Sequence, residues 1–261
     1  MRGPPSRLTV LRAWNGLQGR IVNCNRCPRL RDHCVHTATA KRAAYRTETY
    51  WGKPVPNLGD PAARLLLVGL APAAHGANRT GRLFTGDRSG DFLFRAMHEV
   101  GFVNQAESVR DGDGLRLIDA AITGVNHCAP PDNKPLPDEV TNCTTYFHET
   151  VELMPQVRVM LALGRIAFDA CLRLYTIRGW LAGRTPKPGF GHGAAYHFPE
   201  APSLVASFHP SQQNTFTGRL TPRMMRDVLQ HCRAIIDAGD GPRDPLHSTA
   251  RPGRRPGRKT L

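Results

Sequence analysis

The sequence predicts an α/β fold: a three-layer α/β/α sandwich built on a central, roughly four-stranded parallel sheet. Three observations support it. Short continuous apolar runs recur at 64–70, 117–125, 157–163 and 203–207, the pattern of strands buried on both faces. Stretches of helical period separate them, at 91–100, 137–154 and 166–175, with a last one at 222–238. The chain of 261 residues is long enough for one substantial core with tails.

The elements follow in order. Leu8, Leu11, Trp14, Leu17 and Ile21 fall on helical spacing, so residues 1–22 read as a basic helical segment. A tight turn, Cys24-Asn25-Arg26-Cys27-Pro28, comes next, and residues 28–60 are polar and mixed, ending in a loop at Trp51-Gly52-Lys53-Pro54. The main domain is expected over 23–240. Beyond it, residues 241–261 are rich in Pro, Gly and Arg, a composition that buries little apolar surface and predicts a disordered basic tail.

Bulk properties narrow the function. Lys and Arg number 35 against 21 Asp and Glu, a net charge of +14 that favours a polyanionic partner, although an Arg-rich proteome would produce the same bias. No apolar run approaches the length of a membrane span, and the first ten residues lack the apolar core of a secretory signal, so a cytoplasmic protein is expected. Seven cysteines, an odd number, argue against a disulfide framework. Cys24 and Cys27, with two residues between them, and Cys128 and Cys143, with fourteen between them, suggest a metal centre instead; spacing alone fits a four-cysteine zinc site as well as an iron–sulfur cluster. Cys34 is a spare thiol, while Cys171 and Cys232 lie in expected helices as packing residues.

Two segments carry candidate chemistry, each just past the C-terminal end of an expected strand, where open parallel sheets hold ligands. The first is Gly69-Leu70-Ala71-Pro72-Ala73-Ala74-His75-Gly76, continuing through Arg79 and Arg82 to Phe84-Thr85-Gly86-Asp87. Its small residues let backbone approach a ligand closely. Arg79 and Arg82 are candidates for phosphate, Phe84 offers a stacking face, and Asp87 offers a carboxylate or merely caps the following helix. The second is Ser207-Phe208-His209-Pro210-Ser211-Gln212-Gln213-Asn214, running on through Phe216 to Arg219, with His209 set rigidly before a proline.

Together these segments resemble the paired motifs of the uracil-DNA glycosylase superfamily, in particular its family 5 (type B) branch, and with the cysteines the resemblance covers about residues 20–235. It implies a monomeric enzyme that hydrolyses the N-glycosidic bond of uracil and other deaminated bases in double-stranded DNA, initiating base excision repair. It implies a structural 4Fe–4S cluster held by Cys24, Cys27, Cys128 and Cys143. His209 matches the histidine that hydrogen-bonds the leaving base, and Phe84 the aromatic on which the extruded base stacks. No acidic or amide side chain stands in Leu70–Ala74, so Asp87 is the natural substitute, as the resemblance also implies, with Asn126 a second polar group; either of the two positions the water. Gly69, Ala71 and Ala73 line the base pocket; Ala73 lies where strictly uracil-specific enzymes carry a bulky ring, so hypoxanthine is expected to fit. Ser211, Gln212, Gln213, Asn214 and Phe216 form the loop expected to fill the hole left by the base, with Arg219 on a flanking phosphate. The alternatives are a family 4-like or mismatch-specific enzyme and a non-catalytic iron–sulfur DNA-binding protein. A zinc-dependent base deaminase is excluded, because its His-x-Glu and Pro-Cys-x-x-Cys motifs are missing.

Overall fold

The computed structural model describes residues 6–183 and 186–239, so the expected tail at 241–261 lies outside the described residues. Helix α1 (Arg7–Val22) opens on Ser6, whose hydroxyl accepts from the Thr9 N–H, and buries Trp14, Leu17 and Ile21. Helix α2 (Pro28–Ala40) starts on a proline, whose missing N–H costs nothing at a helix N-terminus. It went unread because its buried face is Leu30, Cys34 and Thr37, only one of them strongly apolar. Then follow β1 (Leu58–Gly59), β2 (Leu65–Gly69), α3 (Ala77–Thr80), α4 (Arg88–Glu99) and β3 (Ala120–Gly124). The second half contributes α5 (Pro137–Glu152), β4 (Val159–Leu163), α6 (Arg165–Ile177), β5 (Ala195–Phe198), β6 (Ala201–Ser207), α7 (Gln212–Phe216) and α8 (Pro222–Ala238).

The sheet has six strands, ordered β1-β3-β2-β4-β6-β5. The inner four, β3, β2, β4 and β6, are parallel and are the four that the apolar runs predict. The expectation of a four-stranded sheet is corrected by two antiparallel edge strands, β1 and β5. Edge strands carry little apolar signal: β1 has two residues, and none of Ala195–Phe198 in β5 is fully buried.

Alternate side chains of each inner strand point to opposite faces. Leu65 and Leu67 pack with Leu93, Phe94 and Met97 of α4 and Met225, Val228 and Leu229 of α8. Leu66 and Val68 pack with Phe147 and Val151 of α5, Phe168 and Leu174 of α6, and Trp14 of α1. Cys232 belongs to the first cluster and Cys171 to the second, as packing residues. The N-terminal helix is therefore part of the core and no separate appendage. Among the described residues no helix is long and apolar enough to cross a membrane.

Strand order reverses about β2, since the chain passes first to β3 on one side and later to β4 on the other. Such a reversal opens a crevice beyond the strand ends. One wall of it is anchored by Asp113, in the long connection from α4 to β3. Its carboxylate accepts from the N–H groups of Val109 (2.9 Å), Arg110 (3.2 Å) and Leu115 (3.1 Å) and receives both Nη atoms of Arg82, at 2.8 and 2.6 Å. Arg82 also donates to Thr85 Oγ1 and Ser108 Oγ, and only 6% of its side chain is exposed. The expectation that Arg82 meets phosphate is thus corrected: its fork is already filled from inside.

Burial pushes Asp113 up, but Arg82 and the three N–H groups outweigh it and hold the carboxyl well below the usual carboxylate range. A depressed native pKa contributes stability that is complete above the unfolded value, about 3.9, and is lost as pH falls below it. Asp113→Ala leaves Arg82 buried without its counter-charge and is expected to cost about 3–5 kcal/mol in urea unfolding at neutral pH. The gap between variant and wild type should narrow as melts are repeated below about pH 4; a gap that stays constant there would show that the carboxylate's charge contributes nothing.

Candidate active site

The first motif leaves β2 at Gly69 and runs beside the loop that follows β3. The carbonyls of Gly69 and Leu70 accept from the N–H groups of Val125 (2.9 Å) and Asn126 (2.8 Å). Ala71 and Ala73 are half-buried in the turn that follows, and the Ala73 carbonyl accepts from Gly76 and Asn78. The chain then comes back at Phe84, whose φ of +52° is rare for a residue with a bulky side chain. This conformation is held by close packing on Gly90, where an added Cβ would sit 1.8 Å from the Phe84 carbonyl oxygen. The Phe84 ring lies against the Gly69 backbone and meets the His209 imidazole at a centroid distance of 6.0 Å and 31° between planes. Strained backbone of this kind concentrates at functional sites.

Three residues on, Asp87 caps α4. One oxygen accepts from the Gly90 N–H at 2.9 Å; the other sits so close over Gly76 that a Cβ there would lie 2.0 Å from it. Burial raises the Asp87 pKa, against the opposing hydrogen bonds from the Gly90 and Ser89 N–H groups. The carboxylate is therefore fixed in direction while its charge is poorly solvated.

His209 stands just past β6. The Ser207 carbonyl accepts from Gly164 at 2.8 Å, and the His209 carbonyl accepts from Asn214 Nδ2 at 2.9 Å. Burial alone lowers the imidazole to about 4, so it is neutral at physiological pH. Asn126 is wholly buried; its Nδ2 donates to the Glu139 carbonyl at 2.9 Å, and its Oδ1 has no partner among the described residues. It is tied to the first turn of α5, behind the strand ends, with one oxygen free for a further donor.

Several expected DNA contacts face inward. Arg79 is 8% exposed: it donates to the His75 and Gly86 carbonyls, pairs with Glu48 and stacks 3.9 Å from the Tyr45 ring centre. Its phosphate role is corrected for the same reason as that of Arg82. Asn214 braces His209, and Ser211 caps the short helix α7 by accepting from the Asn214 N–H; both are half-buried. Gln212, Gln213 and Arg219 do face solvent, and Phe216 is 67% exposed with the Arg88 guanidinium 5.4 Å from its ring centre. Sequence reasoning missed Arg88, Gly76 and Gly90; for the glycines, their spacing around Phe84 and Asp87 was the available signal.

Four of the cysteines stand on or beside α1, α2, β3 and α5. Cys24 follows α1, Cys27 caps α2, Cys128 follows β3, and Cys143 lies within α5. Cys27 is raised first by burial and then lowered by Asn142, whose Nδ2 donates to its sulfur at 3.5 Å. Burial lifts Cys143 to about 11, with Cys27 and Cys24 adding to the shift, and Cys128 is raised through its hydrogen bond with Cys34, by burial and by Cys143. The four thiols thus sense one another electrostatically. Among the described residues no three His, Cys, Asp or Glu side chains converge as a single metal ion would require.

An aromatic ring, a neutral histidine and a half-buried carboxylate thus stand on two adjoining loops beyond the strand ends of an α/β fold. The family model described as the Uracil DNA glycosylase superfamily matches residues 56–233, and the chain belongs to that superfamily. Within it, the chain is similar to type-5 uracil-DNA glycosylases. It is 46% identical over 220 residues to the one from Mycobacterium bovis, covering 84% of this chain and 80% of that protein. To the type-5 enzyme of Thermus thermophilus it is 46% identical, over 82% of this chain and 94% of the relative. The type-5 enzyme of Pyrobaculum aerophilum is 41% identical, over 90% and 98%.

The packing of Asp87 on Gly76 is open to test without any substrate. Gly76→Ala should push the carboxylate off the start of α4, because a Cβ would sit 2.0 Å from its oxygen. The Gly90 amide should then exchange with deuterium faster than in wild type, and losing the cap should cost about 1 kcal/mol. Unchanged exchange at Gly90 would show that the loop absorbs the methyl group elsewhere.

Proposed function

We infer that this protein is a DNA glycosylase that hydrolyses the N-glycosidic bond of uracil in DNA and so begins base excision repair. The observation that carries the reading is the joint placement of Phe84, its ring over Gly69, and His209 beside it, with Asp87 fixed on the Phe84 loop. When the bond breaks, its electron pair leaves with the base, the sugar becomes cationic, and a water oxygen adds to the anomeric carbon. An extruded base stacks on Phe84. His209, neutral because burial lowers its pKa, donates to the base oxygen on which negative charge develops. Asp87 acts on the sugar cation or on the attacking water, and the free oxygen of Asn126 supplies a further polar contact. Ala71 and Ala73 leave room for bases larger than uracil, so deaminated purines such as hypoxanthine belong to the proposed range. Phe216 is the side chain best exposed to enter a duplex, with Arg88 and Arg219 beside it for phosphates.

Strand cleavage after alkali treatment of oligonucleotides bearing uracil, hypoxanthine or xanthine, in single and double strands, tests the reading; no release of uracil would overturn it. Asp87→Asn should lower the single-turnover rate far more than DNA affinity, because its effect belongs to the transition state. His209→Ala should cost about 10²-fold or more in rate. For a carboxylate with a raised pKa and a histidine lowered to about 4, both required forms appear as pH rises from the acid side. The rate should therefore climb from acid pH to a plateau that holds to about pH 8; a decline on the alkaline side would contradict the assigned protonation states.

The cysteines support a structural 4Fe–4S cluster held by Cys24, Cys27, Cys128 and Cys143. These four thiols, three of them buried and near enough to influence one another, are the residues that would hold it, and they lie on distant segments of the chain. When bound, the cluster supplies a covalent tie between distant segments and draws the thiols into their thiolate form; catalysis is left to the side chains above. Anaerobically purified protein should be brown with about four irons per chain, and Cys128→Ala should lose both iron and solubility. Stoichiometric zinc without iron would replace the cluster with a zinc site.

A further inference from the structure

We propose that His192, on the turn before β5, is the positioning residue that sets His209 in place for catalysis, acting through the backbone and ring of Phe208. The proposal rests on the glycosylase reading and deepens it. The turn is built for the purpose. The Ala194 N–H returns to the Gly191 carbonyl at 3.1 Å, and Gly193 at φ +76° donates to the Ala206 carbonyl at 2.8 Å. Ala206 in turn donates to the Ala194 carbonyl at 2.8 Å, so the strand ladder carries His192 to the exit of β6, beside Ser207 and Phe208.

There its ring makes two different contacts with one residue. The Phe208 N–H donates to His192 Nδ1 at 3.2 Å, and the two rings stack with centroids 5.1 Å apart and 29° between planes. Accepting at Nδ1 leaves the ring proton on Nε2. The imidazole is thereby fixed in tautomer and in plane, the way a supporting residue is held when its own orientation matters. On Phe208 itself the Arg219 guanidinium sits 4.6 Å from the ring centre, and the Ser207 hydroxyl donates to the Phe208 carbonyl at 2.9 Å. Phe208, the residue that leads into His209, is thus pinned at its N–H, its carbonyl and its side chain. On the far side Asn214 Nδ2 holds the His209 carbonyl. What remains for His209 is to place its ring beside Phe84, and a displacement of that ring by 1 Å would already slow the reaction severely.

Three variants separate the contacts. His192→Phe keeps an aromatic face on Phe208 and removes the acceptor; His192→Ala removes both; His192→Gln restores an acceptor without the ring. Single-turnover cleavage of a uracil-containing duplex should fall about 10- to 100-fold in His192→Ala and His192→Phe, with affinity for uncleaved duplex within a few-fold of wild type, and His192→Gln should recover most of the rate. In 15N spectra the Phe208 amide and the His209 ring should shift in the Phe variant while signals from α1 and α6 stay in place, which shows that the chain is folded. A His192→Phe protein that cleaves at the wild-type rate overturns the proposal, as does a His192→Gln protein as slow as His192→Phe. Wild-type protein without activity on uracil would instead overturn the glycosylase reading on which it rests.

Discussion

The carboxylate of Asp87 pressed against the backbone of Gly76 is the contact on which the top of the sheet depends. It joins the first turn after β2 to the start of α4, and through Gly90 it also determines how Phe84 can lie. Neither oxygen can rotate away without losing the helix cap or colliding with the turn. Burial raises the Asp87 pKa, and the Gly90 and Ser89 N–H groups together with Arg79 offset part of that cost. Structural and chemical demands coincide in one side chain, so the cap role that the sequence allows for Asp87 and the proposed catalytic role do not compete.

The basic charge of the chain is divided between two tasks. Arg79 and Arg82, in the middle of the first motif, are consumed internally by Glu48, Tyr45 and Asp113 and by backbone carbonyls. They stiffen the loop that presents Phe84 and Asp87. Arg88 and Arg219 instead stand at the rim, each laid over an exposed or half-exposed phenylalanine. A rigid interior with cations only at its margin is suited to a site that must hold a flat, uncharged base while meeting phosphates around it.

Much of this was legible in the sequence and some was not, for identifiable reasons. The four inner strands are continuous runs of Leu, Val, Ile and Ala because both of their faces are covered, and such runs announce themselves. Edge strands β1 and β5 and helix α2 bury one sparse face each and leave no such signature. Phe84, Asp87 and His209 were visible because a motif names its residues. The inward turn of Arg79 and Arg82 was not, since an arginine reads alike whether its partner is a phosphate or an aspartate far along the chain.

The placement of the cysteines bears on how the chain is made. Cys24 and Cys27 lie between the first two helices, while Cys128 follows β3 and Cys143 lies in α5. At a synthesis rate of about 5–20 residues per second, the first thiol pair leaves the ribosome about 5 to 20 seconds before the second. Through that interval α1 has no α5 to cover Leu17 and Ile21, and two thiols stand open to oxidants. The nascent amino-terminal portion is thus the exposed phase of this protein's life, and its protection is a matter of timing on the ribosome, settled before the finished molecule has any stability of its own.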